Sequence, residues 1–242
     1  MEPQARPVPA TYEDLSQSIV LPLLKPELTA AQVFEGLELA KRYGIGCVMV
    51  RPCDIDLAVR TLERSGVRAG AAAGFPHGSA STAVKLYEIR DLLRRGAKEI
   101  GMVAPIPKLV SREFPYVQTE LLQASEACRK EGATLTVVLE NAYFTDEMKI
   151  VACRCAERAE AHAVATSTGL ASPGYTLEDI GLMRKHLPEE TGVEVWGEIE
   201  TVERLLELHA AGCTKFATSA AAKVLEEWRG RLAGSQGTEA TR

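Results

Sequence analysis

What most constrains this chain is a rhythm, in which short apolar runs alternate with helical patterns that open on a capping residue and often close on glycine. Thr29 reads as the cap of AAQVFEGLELAKRYG, and Cys47–Val50 follows as a strand. Residues 54–65 read as a helix ending at Gly66, and AGAAAGF (69–75) as the next strand. Ser79 or Ser81 opens a helix through VKLYEIRDLLRRG, ahead of a strand over 99–103. A helix over 112–131, a strand over 134–140 and a helix from Thr145 to about Ala161 continue the cycle. It closes with strand 164–167, a helix capped by Thr176 and running to His186, strand 193–199, helix 201–211, strand 215–218 and helix 219–233. With extended Ser18–Leu21 at the start, this gives about eight strand–helix units in one domain's length, which predicts an α/β fold of the TIM (β/α)8-barrel type. A doubly wound open sheet is the competitor; it would carry a glycine-rich nucleotide loop after its first strand, and none is present. A single barrel domain is expected over 12–233, with 1–11 and 234–242 as loose tails because they are rich in Pro or in Gly, Ser and Thr.

Composition narrows the partners. A net charge of −5 with no clustered Lys/Arg run gives no electrostatic footprint for nucleic acid or an anionic membrane surface. No apolar stretch reaches the roughly 18 residues of a membrane span, and the start, MEPQARPVPATYEDL, lacks the apolar core of a signal peptide, so a cytoplasmic location is expected. The six cysteines show no CxxC spacing and are read as reduced. Cys153 and Cys155 fall within a helical pattern, where residues two apart point to different sides, so they read as ordinary thiols and no metal site is assigned.

Barrels of this kind carry their chemistry at the carboxyl ends of the strands. Those ends hold Arg51 and Cys53, Phe75 and His77, Val103 to Ile106, Glu140 and Asn141, Ser167 to Gly169, Trp196 to Glu198, and Thr218 with Ser219.

In the order of these strands the sequence resembles the deoxyribose-phosphate aldolase family. The resemblance is carried by LLKPELT (23–29), AKRYGIGCVMVRP (40–52), GFPHGSAST (74–82) with Lys85, GAKEIGMV (96–103), VVLENAYFTDEM (137–148), ATSTGLASPGYTLEDIGLMR (165–184) and GCTKFATS (212–219). It implies the barrel fold and a class I aldolase ancestry, in which a lysine Schiff base joins acetaldehyde to glyceraldehyde 3-phosphate without a cofactor. It also implies a reactive lysine immediately before Thr-Ser-Thr-Gly, where this chain has Ala165. The implied second lysine falls on Glu194, the aspartate of the proton relay on Gly101, a further lysine on Thr136, and an early acidic position on Val20. The family's phosphate turns map to Gly169, Gly197 and Ser219, but the second glycine of one turn is Glu198, a poor neighbour for a phosphate dianion.

Side chains alternate along a strand, so parity with the implied catalytic positions places Gly101, Val103, Thr136, Val138, Glu140, Ala165, Ser167, Glu194, Trp196 and Glu198 in the lumen or its mouth. Lys215 is expected to face outward. The expected ligand site comprises Ala165, Ser167, Thr168, Gly169, Gly101, Trp196, Gly197, Glu198 and Ser219. Glu194, Glu140 and His77 are the candidate acid and base groups, because like charges held together push one carboxyl pKa upward. The expectation is an enzyme acting on a carbonyl compound, unphosphorylated, by lyase, isomerase or cyclase chemistry without a Schiff base; the alternative is a non-catalytic small-molecule-binding homologue. Three carboxylates could instead hold a divalent cation, His77 could cap the following helix, and Lys215 could serve as a relocated amine. A homodimer is the expected assembly.

Overall fold

The computed structural model describes residues 8–171 and 174–239. Eight parallel strands close into a barrel in sequence order: β1 (Ile19–Leu23), β2 (Cys47–Val50), β3 (Arg68–Ala73), β4 (Glu99–Val103), β5 (Thr134–Val138), β6 (Ala163–Ala165), β7 (Gly192–Trp196) and β8 (Lys215–Ala217). β8 returns to β1 through Ile19↔Phe216 and Val20↔Ala217, which leaves no sheet edge.

Each strand feeds a helix. After α1 (Tyr12–Ser18), α2 (Ala30–Tyr43) follows β1, α3 (Ile55–Leu62) follows β2, and α4 (Thr82–Arg94) follows β3. The short α5 (Ile106–Val110) and long α6 (Phe114–Lys130) follow β4. α7 (Asp146–Arg158), α8 (Leu177–His186), α9 (Val202–Ala210) and α10 (Ala221–Glu239) complete the ring. Local chemistry sets the boundaries. Thr29 accepts from the Gln32 amide while Gln32 returns a bond to the Thr29 backbone, and Gly44 ends α2 in the left-handed conformation. Thr145 and Thr176 cap α7 and α8 by accepting from the Met148 and Asp179 amides. Such caps contribute about 1 kcal/mol each.

Two differences from the sequence reading concern the ends. Thr11 and Asp14 form a capping box that starts α1, so 12–18 is helical and the first strand begins at Ile19. At the other end α10 continues past residue 233 to Glu239; the expected tail residues 1–7 and 240–242 lie outside the described residues.

Strand alternation divides the interior into two layers. Outward residues such as Val48, Ile100, Val137, Val164, Val195 and Phe216 join the large core under the helices. Inward residues form a separate cluster of Val20, Cys47, Met49, Val103, Val138, Ala165, Trp196 and Ala217. Among the described residues no helix is long and apolar enough to cross a membrane.

Candidate functional site

The lumen is stratified. Its floor, at the amino ends of the strands, is charged: Lys215 Nζ lies 2.9 and 2.8 Å from the two oxygens of Glu99, and Arg68 also binds Glu99, at 2.5 Å. β4 and β8 are four strands apart in either direction around the ring, so a bond between them must cross the lumen. Lys215 therefore faces inward, contrary to the sequence expectation. Phe216, not Lys215, takes the outward place against the helices, because a large apolar ring belongs in that layer and its neighbours alternate away from it.

Above this floor Glu194 is almost wholly buried, with both oxygens occupied. Oε1 accepts from Thr136 Oγ1 at 3.1 Å, and Oε2 accepts from the indole Nε1 of Trp196 at 3.0 Å. Lys215 Nζ stands 3.9 Å away. Burial pushes the Glu194 carboxyl above its ordinary range, and the nearby Lys215 only partly offsets this. Glu99 goes the other way: burial would raise it, but Lys215 and Arg68 together bring it down. Burial alone would lower the Lys215 ammonium, and Glu194 with Glu99 more than reverses that, so the amine is held charged.

Trp196 closes the lumen. It belongs to the buried lumen cluster with Val20, Met49, Val103, Val138 and Ala165, and its ring reaches across from β7 to β4. A Cβ at Gly101 would meet the indole Cη2 at 2.8 Å, so this strand position accepts the ring because it has no side chain. Ala165 is fully buried below the mouth, and the Ser167 hydroxyl donates to the Trp196 carbonyl at 2.7 Å, tying the ends of β6 and β7 together.

Two cavities open at the carboxyl ends of the strands, sharing Thr168 and Leu170. One, of about 300 Å³, is lined by Trp196, Gly197, Glu198, Thr168, Gly169 and Ser219, with Phe75, Leu24, Lys25 and Glu200 completing it. The other, of about 390 Å³, lies over the ends of β3 to β6 and carries His77, Ser79, Glu140, Tyr143 and Thr168. The structure thus brings together most of the expected ligand residues, and His77 with Glu140, at the mouth. Gly101, Ala165, Ser167 and Glu194 line neither cavity. His77 is exposed and precedes α4 by several residues, whose N-cap is Ser81, so it does not cap that helix.

Sequence reasoning missed Leu170, 63% exposed and lining both cavities. The available signal was a large apolar residue stranded in a polar turn. The buried Lys85 and the partly buried Lys215 are both ion-paired: Lys85 Nζ donates to Glu120 Oε1 at 2.7 Å and to the Val103 carbonyl at 2.9 Å. Among the described residues no group of three or more His, Cys, Asp or Glu side chains is placed to hold a metal ion.

A closed parallel barrel with cavities where the carboxyl ends of its strands emerge defines the (β/α)8 class, in which ligands occupy that face. No protein-family model matches the chain. It is 37% identical over 208 residues to a deoxyribose-phosphate aldolase of Caldanaerobacter subterraneus, covering 86% of this chain and 90% of that one. A deoxyribose-phosphate aldolase of Thermoanaerobacter pseudethanolicus is 36% identical, over 85% of this chain and 93% of its own. The crystal structure of a putative deoxyribose-phosphate aldolase from Coccidioides immitis superposes with a TM-score of 0.88 at 31% identity, covering 94% of this chain and 90% of that one. The chain belongs to the deoxyribose-phosphate aldolase family.

Proposed function

We propose that this family member acts on an unphosphorylated carbonyl compound held at the barrel mouth, by proton transfer and without a lysine Schiff base. The observation that carries the reading is the indole of Trp196 lying across the lumen over Gly101, in one buried cluster with Ala165. A Schiff base needs an amine that is uncharged when it attacks. Position 165 offers a methyl group, Lys215 is held charged beneath the indole, Lys85 is enclosed with Glu120, and Lys25, the lysine lining a mouth cavity, stands exposed to water rather than in the lumen.

The proton-transfer groups left at the mouth are His77 and Glu140, on one cavity. In the simplest step His77 takes the proton from the carbon beside the carbonyl, the electron pair passing onto the carbonyl oxygen as an enolate, and a proton returned to the same carbon re-forms the C–H bond, so the step needs no further reactant and is read as solvent exchange. Isomerisation and cyclisation can begin from that enolised state. Glu194 stays outside the reacting pair because both its oxygens are engaged beneath the indole. Glu198 and Glu200 on the neighbouring cavity disfavour a phosphate dianion there.

The test is solvent deuterium exchange into a panel of unphosphorylated aldehydes and ketones, followed by NMR. Catalysed exchange that falls at least about tenfold in His77→Gln supports the reading, in line with the contribution of a general base. A second reading, binding without chemistry, is favoured by the same indole, which removes Glu194 from the mouth. Saturable binding of a carbonyl compound with no exchange would establish that reading instead.

A further inference from the structure

The cavity over β3 to β6 contains an unsatisfied acceptor. Glu140 is 2% exposed, and its Oε2 accepts from both the amide and the hydroxyl of Thr168. Its Oε1 is buried and has no hydrogen-bond partner among the described residues. The residues lining the same cavity include no Lys or Arg; the other polar side chains there are His77, Ser79, Tyr143 and Thr168. The situation contrasts with every other buried carboxylate near the barrel axis: Glu99 holds Lys215 and Arg68, and Glu194 accepts on both oxygens. Taking a carboxylate out of water is costly unless it is paired and hydrogen-bonded, so a side chain that lines a cavity of about 390 Å³ and keeps one buried oxygen without a donor is the place for a ligand donor.

We infer that Glu140 receives the ammonium group of the ligand, and that the substrate class is a small amine-bearing carbonyl compound. The inference rests on the mouth being the ligand site, as in the function proposed above, and it divides the labour there: Glu140 anchors the cation and His77 exchanges the proton. The neighbouring cavity agrees in sign. Glu198 and Glu200 line it and are exposed, while Lys25 is its lining cation. Arg51, nearest the loop after β1, is taken up by Asp54 and by the carbonyls of Lys25, Pro26 and Leu28. Glu140, Glu198 and Glu200 line the two mouth cavities against Lys25, a field that favours positive charge.

The test uses three probes of one length, n-butylamine as its ammonium ion, 1-butanol and butyrate, titrated against the full chain by NMR. The expected order of affinity is ammonium, then alcohol, then butyrate, with at least about a tenfold gap between the first and the last, and with the gap narrowing as salt is raised. In Glu140→Gln, which keeps an acceptor for Thr168, the preference for ammonium over butanol should disappear while the thermal unfolding curve remains cooperative. If that variant does not fold, the order on the unaltered protein still decides. Equal affinities, or a preference for butyrate, would overturn the inference. Deuterium exchange without an ammonium preference removes this assignment alone; an ammonium preference without exchange removes the catalytic reading and leaves the anchor.

Discussion

The floor and the mouth of this barrel treat charge in opposite ways. At the floor, Arg68, Glu99 and Lys215 satisfy one another across the lumen, and Glu194 is closed off under Trp196. At the mouth, Glu140 keeps an unpartnered oxygen, and Glu198 and Glu200 stand exposed. Internally balanced charge belongs to stability, whereas unbalanced charge in a cavity is where a ligand can add something. The indole of Trp196 is the partition between the two.

Removing the partition should have the largest effect. Trp196→Ala is expected to cost about 4 kcal/mol of unfolding free energy in urea titration, because it empties the centre of the lumen and leaves Glu194 without its indole donor. A loss below about 1 kcal/mol would mean the ring is not the lumen's filler. Breaking the floor comes next. Lys215→Met leaves Glu194 and Glu99 without their crossing cation, although Arg68 remains on Glu99, and a loss of about 3 kcal/mol is expected.

Gly101→Ala is smaller. The added methyl would meet the indole at 2.8 Å, and overpacking of this kind costs about 2 kcal/mol. Combining it with Trp196→Ala should give less than the sum of the two losses, since the clash disappears with the ring. The exposed His77 lies at the bottom of the scale: His77→Gln should change stability by less than about 0.5 kcal/mol while lowering carbonyl exchange.

The two buried floor carboxylates also predict opposite pH slopes. Glu194 has a folded pKa above its ordinary value, so the stability it lends is complete at low pH and is lost as pH rises through the raised pKa. Glu99 has a folded pKa below its ordinary value, so its contribution is complete above the ordinary carboxylate range and is lost as pH falls through the lowered pKa. Glu194→Gln should therefore gain stability relative to the parent as pH rises from the ordinary carboxylate range through the raised pKa of Glu194. A constant difference across that range would show that Glu194 is ionised in the fold.

The barrel was legible in the sequence because its signals are local. Apolar runs, Thr caps and closing glycines each act within a few residues, as Thr29, Gly44 and Thr176 show. Helix α1 escaped although Thr11 and Asp14 spell its capping box, and α5 escaped because five residues between prolines carry too little periodicity. Inward and outward faces of β4 to β7 follow from alternation, but Lys215 did not, since a single lysine says nothing about which face it takes. Phe216 decides that, through packing against helices distant in sequence. The coupling of Gly101 to Trp196, and the empty oxygen of Glu140, depend on atoms brought together from different strands and have no local signal at all.

The most direct test of the account is borohydride trapping of the full chain with deoxyribose 5-phosphate and with acetaldehyde, read by intact mass and peptide mapping. The account predicts no stoichiometric adduct on Lys25, Lys85 or Lys215 with either compound, beyond the partial labelling that free aldehyde gives exposed surface lysines. A stoichiometric reduced adduct on one of these three would contradict it.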